Sequence, residues 1–258
     1  MCEKRFYSII TIVLLTFWTT SCASTENAAS PKPNLPVTEI VAEADASAKG
    51  HNDLPKLREA VNLLTQARNP DARNYEVEWK FAQYNYFLGK LTIDEKESKK
   101  AFEAGESAGQ IASRIEPTKP DGYFWYAASL GEQAKRAPLT KGLTSIGDIQ
   151  TAMKKVIEIE PSYQGASAFD ALAQIELATR LTGGKSAKAV EYLEKALDIN
   201  KENSYIRLHL AQAYLAENRD AEAKKQLDYL LKMKPDPDFL PEYDECVKEG
   251  KRLLETKF

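Results

Sequence analysis

The residues that could carry chemistry are few, and the most suggestive are Gly184-Lys185-Ser186 within "RLTGGKSAKAVEYLEKAL", Arg180 to Leu197. A glycine, a lysine and a hydroxyl in that order close the phosphate-cradling loop of nucleotide-binding enzymes. Such a loop needs another glycine five residues before its Gly-Lys, to turn backbone amides onto the phosphates, and it follows a strand. Here that position is Thr179, inside the helical pattern "SAFDALAQIELATRL". The stretch therefore reads as a turn between two helices, with Gly183 or Gly184 as a left-handed C-terminal cap and Ser186 capping the helix that follows.

Metal and nucleophile chemistry find no better support. The two histidines are His51, in a turn-like "KGHNDLP", and His209, in the helical "YIRLHLAQAY", and neither belongs to a His-Glu-x-x-His or Cys-x-x-Cys pattern. Cys246 falls on the apolar side of a helix, where thiols are buried and inert. The carboxylates of "DEKESKK", Asp94–Lys100, alternate with lysines as on a solvated helix face. No catalytic, cofactor-binding or metal-ligating constellation emerges, so the expected mode of action is binding, with no cofactor and no enzymatic role.

Aromatic residues are the unusual feature. In "YEVEWKFAQYNYFLGK", helical spacing sets Tyr75, Trp79, Ala82 and Tyr86 on one face and Val77, Phe81, Tyr84 and Leu88 on the opposite one. A second cluster, Tyr123-Phe124-Trp125-Tyr126, opens a later helix. Two accounts stand: both faces are core between neighbouring repeats, or Tyr75, Trp79, Tyr86, Tyr123 and Trp125 line a groove or tunnel for an apolar ligand or a partner's segment.

The elements that position these residues are helical throughout, without a convincing alternating run for a strand. They also repeat. Ala189, Leu193, Ala196, Leu197 and Lys201 recur as Ala223, Leu227, Leu230, Leu231 and Pro235, each 34 residues later, the tetratricopeptide period. "IEP" at Ile115–Pro117 and at Ile159–Pro161, "INK" at Ile199–Lys201 and "MKP" at Met233–Pro235 mark the same boundary at intervals of 44, 40 and 34 residues. A proline stops the second helix at three of the four boundaries, and Asn200-Lys201 stands in its place at the other. Trp79, Ala82 and Tyr86 keep the spacing of a repeat's first helix. The pattern predicts an all-α tetratricopeptide-like superhelix over residues 37–258: helix pairs at about 37–68, 74–115, 120–160, 164–200 and 203–234, and a C-terminal capping helix at about 240–256.

The chain of 258 residues is 43% hydrophobic, enough for such a body. Its first residues differ: Lys4-Arg5, the apolar run "FYSIITIVLLTFWTT", then Ser21-Cys22. A basic start, an apolar run short for a span and a small residue before a cysteine predict a secretory signal over residues 1–21. "TTSCAS" resembles a bacterial lipobox, with Thr19 where such boxes carry Leu. That resemblance implies lipidation of Cys22, and Ala23-Ser24 after it implies sorting to the outer rather than the inner membrane. An uncleaved anchor or a plain secretory signal is the alternative. "ASTENAASPKPNLP", Ala23 to Pro36, is a polar, proline-bearing tether, so residues 22–36 would hold the body off the membrane by about 20 Å. Loss of Glu3, Lys4 and Arg5 with the signal moves the net charge from −3 to −4. No basic block survives, which argues against nucleic acid or an anionic lipid surface as the main partner.

"PDGYFWYAASLGEQAKRAPLTKGLTSIGDIQTAMKKVIEIEP", Pro120–Pro161, joins an aromatic-rich first helix, an insert containing Gly, Lys and Leu and an Ile-Glu-Pro ending. It resembles the tetratricopeptide lipoproteins that accompany bacterial TRAP-type solute transporters (the TatT component) and the regulator-of-microtubule-dynamics family, over roughly Leu54 to Pro235. The resemblance implies a superhelical, non-enzymatic, lipid-anchored protein on the periplasmic face of the cell envelope. Its partners would be other envelope proteins, a periplasmic solute-binding protein among them, with a homo-oligomer as a further possibility. A carrier of lipophilic small molecules is the other reading.

Overall fold

In a computed structural model, residues 35–235 and 240–258 are described; the predicted signal, Cys22 and nearly all of the tether lie outside them. Residues 36–258 form one compact unit that holds all of the described core. The described residues contain no strand.

Five antiparallel helix pairs follow one another: α1 (Val37–Ser47) with α2 (Leu54–Ala67), α3 (Tyr75–Leu91) with α4 (Glu95–Ile115), α5 (Asp121–Arg136) with α6 (Leu143–Ile159), α7 (Tyr163–Ala178) with α8 (Ser186–Ile199), and α9 (Ser204–Ala216) with α10 (Asp220–Leu230). A last helix, α11 (Leu240–Lys257), packs on α9 and α10. This is the all-α superhelix that the 34-residue period and the helix-stopping prolines predict. Starts are set by side-chain caps that satisfy free backbone N–H groups: Asp53 accepts from the Lys56 amide, Asn74 from Val77, Asp94 from Lys96 and Glu97, and Asn203 from Ile206.

One prediction about caps needs correction. Ser186 does not cap α8; it is already helical and its hydroxyl donates to Glu217. No side chain caps the first turn of α8; Glu176 of the preceding helix instead holds the residue before it, taking the Lys185 amide at 2.9 Å. The left-handed residue is Gly183, at φ 118°. Gly184 has a different constraint, because a Cβ there would stand 2.3 Å from the Glu176 carbonyl oxygen.

The helices α4 and α5 pack closer than side chains would allow. A Cβ on Gly122 would meet the Ser113 backbone nitrogen at 2.3 Å, and one on Gly109 would meet that of Tyr126 at 2.5 Å. Two hydrophobic clusters result, one built from α1 to α7 and one from α7 to α11. The helix α7 serves both, Ala168 and Leu172 facing the first and Ala166, Phe169 and Ala173 the second. Gln164, Gly165 and Ala166, at its start, are all left-handed. For the two non-glycine residues that conformation costs about 1 kcal/mol each.

Candidate interaction face

The odd-numbered helices run parallel, and a carboxylate ties each to the next. Asp45 on α1 accepts from Lys80 at 2.7 Å and from the Tyr84 phenol, both on α3. Asp121 on α5 accepts the Tyr75 phenol of α3 on one oxygen and, at 2.8 Å on the other, the Tyr163 phenol of α7. Asp170 on α7 contacts His209 Nδ1 on α9 at 2.6 Å, and Glu245 on α11 accepts from Tyr205 of α9 at 2.8 Å. Hydrogen bonds to ionised acceptors are the stronger kind, and one at each step fixes the turn from one repeat to the next. Burial first, and the neighbouring carboxylate second, push the Tyr75, Tyr84 and Tyr205 phenols well above their usual range. Tyr163 is raised too, by burial and by Asp121. All four therefore remain donors.

This ladder escaped the reading of the sequence, although its signal was there. The paired residues stand 35 to 46 positions apart, about one repeat length, each joining an odd-numbered helix to the next. An acid and a tyrosine or histidine at repeat spacing is the pattern that finds it.

The five aromatic candidates separate into four settings. Tyr75 is half-buried in the ladder, with Lys119 Nζ 4.6 Å from its ring centre. Tyr86 and Trp125 meet between α3 and α5 with ring centres 5.5 Å apart, beside Phe87, Phe102 and Phe124. Trp125 is 2% exposed, so it is a core residue; its indole N–H has no hydrogen-bond partner and lies near the Tyr163 phenol. Trp79 packs half-buried against the first cluster under Lys80. Tyr123 is apart from these. With Tyr126 it lines an open groove of about 660 Å³ between α4, α5 and α6, beside Arg114, Lys154 and Asp148.

Both stripes of α3 are thus in contact with the body. Val77, Phe81, Tyr84 and Leu88 are all below 7% exposed, and Tyr86 packs across to α4 and α5. His51 stacks on Phe87 at 4.0 Å, and burial lowers its pKa. Among the described residues no three ligand-type side chains gather where they could hold a metal ion.

Two families match the sequence: "Regulator of microtubule dynamics protein 1-3" over residues 40–168, half of the chain, and "Tetratricopeptide repeat" over residues 180–240. The boundary between them falls within α7, where the two hydrophobic clusters meet. No curated protein matches the sequence. Among solved structures, a thermophilic tetratricopeptide protein of Thermus thermophilus, TTC0263, superimposes with a TM-score of 0.60 at 17% identity, over 83% of this chain and 100% of its own. PilF of Pseudomonas aeruginosa gives 0.53 at 15% identity, over 86% and 93%. MamA gives 0.50 at 14%, over 77% and 92%. At such identities the likeness is one of fold.

Proposed function

The chain belongs to the family described as regulator of microtubule dynamics protein 1-3, and from that premise we propose that it works by binding, as a scaffold for other proteins of a bacterial envelope. The tetratricopeptide architecture is one whose extended surface serves protein binding. The observation that carries the reading is the carboxylate ladder. It gives the odd-helix side a fixed pitch and a row of part-accessible polar groups, Asp45, Asp170 and His209 among them. A surface already ordered loses little entropy when an extended segment of a partner settles on it.

The finer reading comes from the sequence. The basic, apolar leader and Cys22 support a lipid-anchored protein facing the periplasm, and the resemblance in Pro120–Pro161 supports an accessory role beside a solute transporter, with its solute-binding protein as partner. A photo-crosslinking residue at Tyr75 should capture such an envelope protein, and the same residue at exposed Glu255 on the last helix should not. Equal capture at both positions would overturn the scaffold. Fatty-acid labelling that survives Cys22→Ser would overturn the anchor.

One observation favours the carrier reading. The Trp125 indole N–H, buried among aromatic rings with the Tyr163 phenol beside it, would suit the polar end of an otherwise apolar ligand. Mass spectrometry of the native protein would then find a co-purified lipid that Trp125→Phe releases.

A further inference from the structure

The turns inside each helix pair all lie on one edge of the superhelix, because the odd helices run parallel. The starts of α3, α5 and α7 meet in the Tyr75–Asp121–Tyr163 bridge, so their ends meet the opposite edge. On that second edge large aliphatic side chains stand in solvent at three successive turns: Ile93 at 98% exposure, Leu139 at 86% with Leu143 at 63%, and Leu181 at 100%. A side chain that exposed has no wall around it, so these residues form no groove that a partner's side chain could fill.

Charge accompanies the aliphatic residues. The second and third turns read "KRAPLTKGLT" and "TRLTGGKSAK", and hold Lys135, Arg136, Lys141, Arg180, Lys185 and Lys188 with no acid between them. Glu132 pairs with Lys135 and Arg136, Glu106 with Lys141, and Glu176 with Lys188. Counting those three carboxylates and Glu217, which accepts from Ser186, leaves these two turns with an excess of two positive charges, in a chain whose net charge is −3. The turns on the other edge are close to neutral, Asp71, Glu116, Asp121, Glu160 and Glu202 standing with Arg68, Arg73, Lys119 and Lys201. The Ile93 turn, flanked by Asp94 and Glu95, carries the aliphatic group without the charge.

We propose that the edge formed by the α5–α6 and α7–α8 turns docks on an anionic phospholipid surface, Leu139, Leu143 and Leu181 entering the interface between headgroups and chains while the flanking lysines and arginines meet the phosphates. Isolated leucines ringed by cations suit a bilayer, which needs no complementary shape and draws basic segments by its surface potential. This assigns a role to the insert "APLTKGL" and to "RLTGGKS", the stretch whose lysine and serine suggest a nucleotide loop. Both put phosphate-binding residues at a turn, for a surface rather than a pocket.

The test uses residues 36–258, which contain the whole described core and lack Cys22, so it reads the edge independently of any lipid anchor. Co-sedimentation with vesicles of phosphatidylcholine plus phosphatidylglycerol should show binding that falls at high salt and is absent on phosphatidylcholine alone. The double variant Leu139→Ser/Leu181→Ser should bind about tenfold more weakly or worse with an unchanged thermal midpoint, because both side chains are in solvent. Failure of the unaltered protein to bind anionic vesicles, equal binding by the double variant, or equal binding to neutral vesicles would each overturn the proposal. Loss of an envelope partner by the double variant without vesicle binding would assign the edge to a protein instead.

Discussion

The Tyr163 phenol donates to Asp121 at 2.8 Å, from the start of one odd helix to the start of the one before it, while the other Asp121 oxygen holds Tyr75. A single carboxylate therefore joins three consecutive repeats. Its removal by Asp121→Ala leaves two part-buried phenols without an acceptor, at a cost of about 2–4 kcal/mol. Tyr163→Phe removes one bond and leaves the other, for about 1–2 kcal/mol. Urea denaturation should give that order, and small-angle scattering should show a changed superhelix for Asp121→Ala. A stability within about 0.5 kcal/mol of the parent would mean that packing alone sets the pitch.

Glycine supplies a sharper test of how the first half is built. Gly122→Ala forces a methyl against the backbone of Ser113 and Ala112, which neither helix can yield without separating, and should cost about 3 kcal/mol or more. Gly131 on the same helix and Gly147 on α6 have nothing within 4 Å of an added Cβ. Alanine at either should raise stability by about 0.5–1 kcal/mol, through the helix propensity alone. Calorimetry of the three variants reads both signs, and a tolerated Gly122→Ala would refute the close crossing of α4 and α5.

The helix pairs were legible because a period and a stop signal agree: apolar residues 34 apart in the last two units, and a proline or polar break after each second helix. Aromatic roles were not legible. Whether the stripe of Tyr75, Trp79 and Tyr86 is groove or core depends on what α5 brings to it, and Trp125 arrives from 39 residues after Tyr86. The ladder was hidden because the repeats differ in length, so no single offset aligns Asp45, Asp121, Asp170 and Glu245 with their partners. Ser186 misled for a related reason. Local rules give the cap to the nearest hydroxyl, whereas the fold brings Glu176 back to the Lys185 amide.

Acid should loosen the α2–α4 contact at a definite place. Arg58 grips Glu97 with two hydrogen bonds of 2.7 Å, and Thr92 donates to the same carboxylate. That grip by Arg58, then Thr92, holds the Glu97 carboxyl down at about 2, against an ordinary 4.5. A carboxylate lowered in the folded state contributes stability that is fully present above about pH 4.5 and is lost as pH falls toward 2. Urea denaturation of the parent and of Glu97→Gln should therefore differ by a constant amount from pH 7 down to about 4.5 and converge by about pH 2. A difference that persists at pH 2 would show that the contribution is not that of the ionised carboxylate.

Cys246 offers a test of the last helix. It is fully buried between α11 and α9, and burial pushes its thiol up to about 12. At pH 8 only about one thiol in ten thousand would be ionised even if a reagent could reach it. In residues 36–258, where it is the lone cysteine, modification by a disulfide reagent should wait on the opening of α11 and run at least about a hundredfold faster in denaturant. Truncation before Leu240 exposes Leu227 and Leu230, which pack against Gly250, and should lower the thermal midpoint, because an open superhelix needs a polar cap on its final repeat. Rapid labelling of Cys246 in the intact domain would mean that α11 is not held in place, and that the final repeat offers its side to something else.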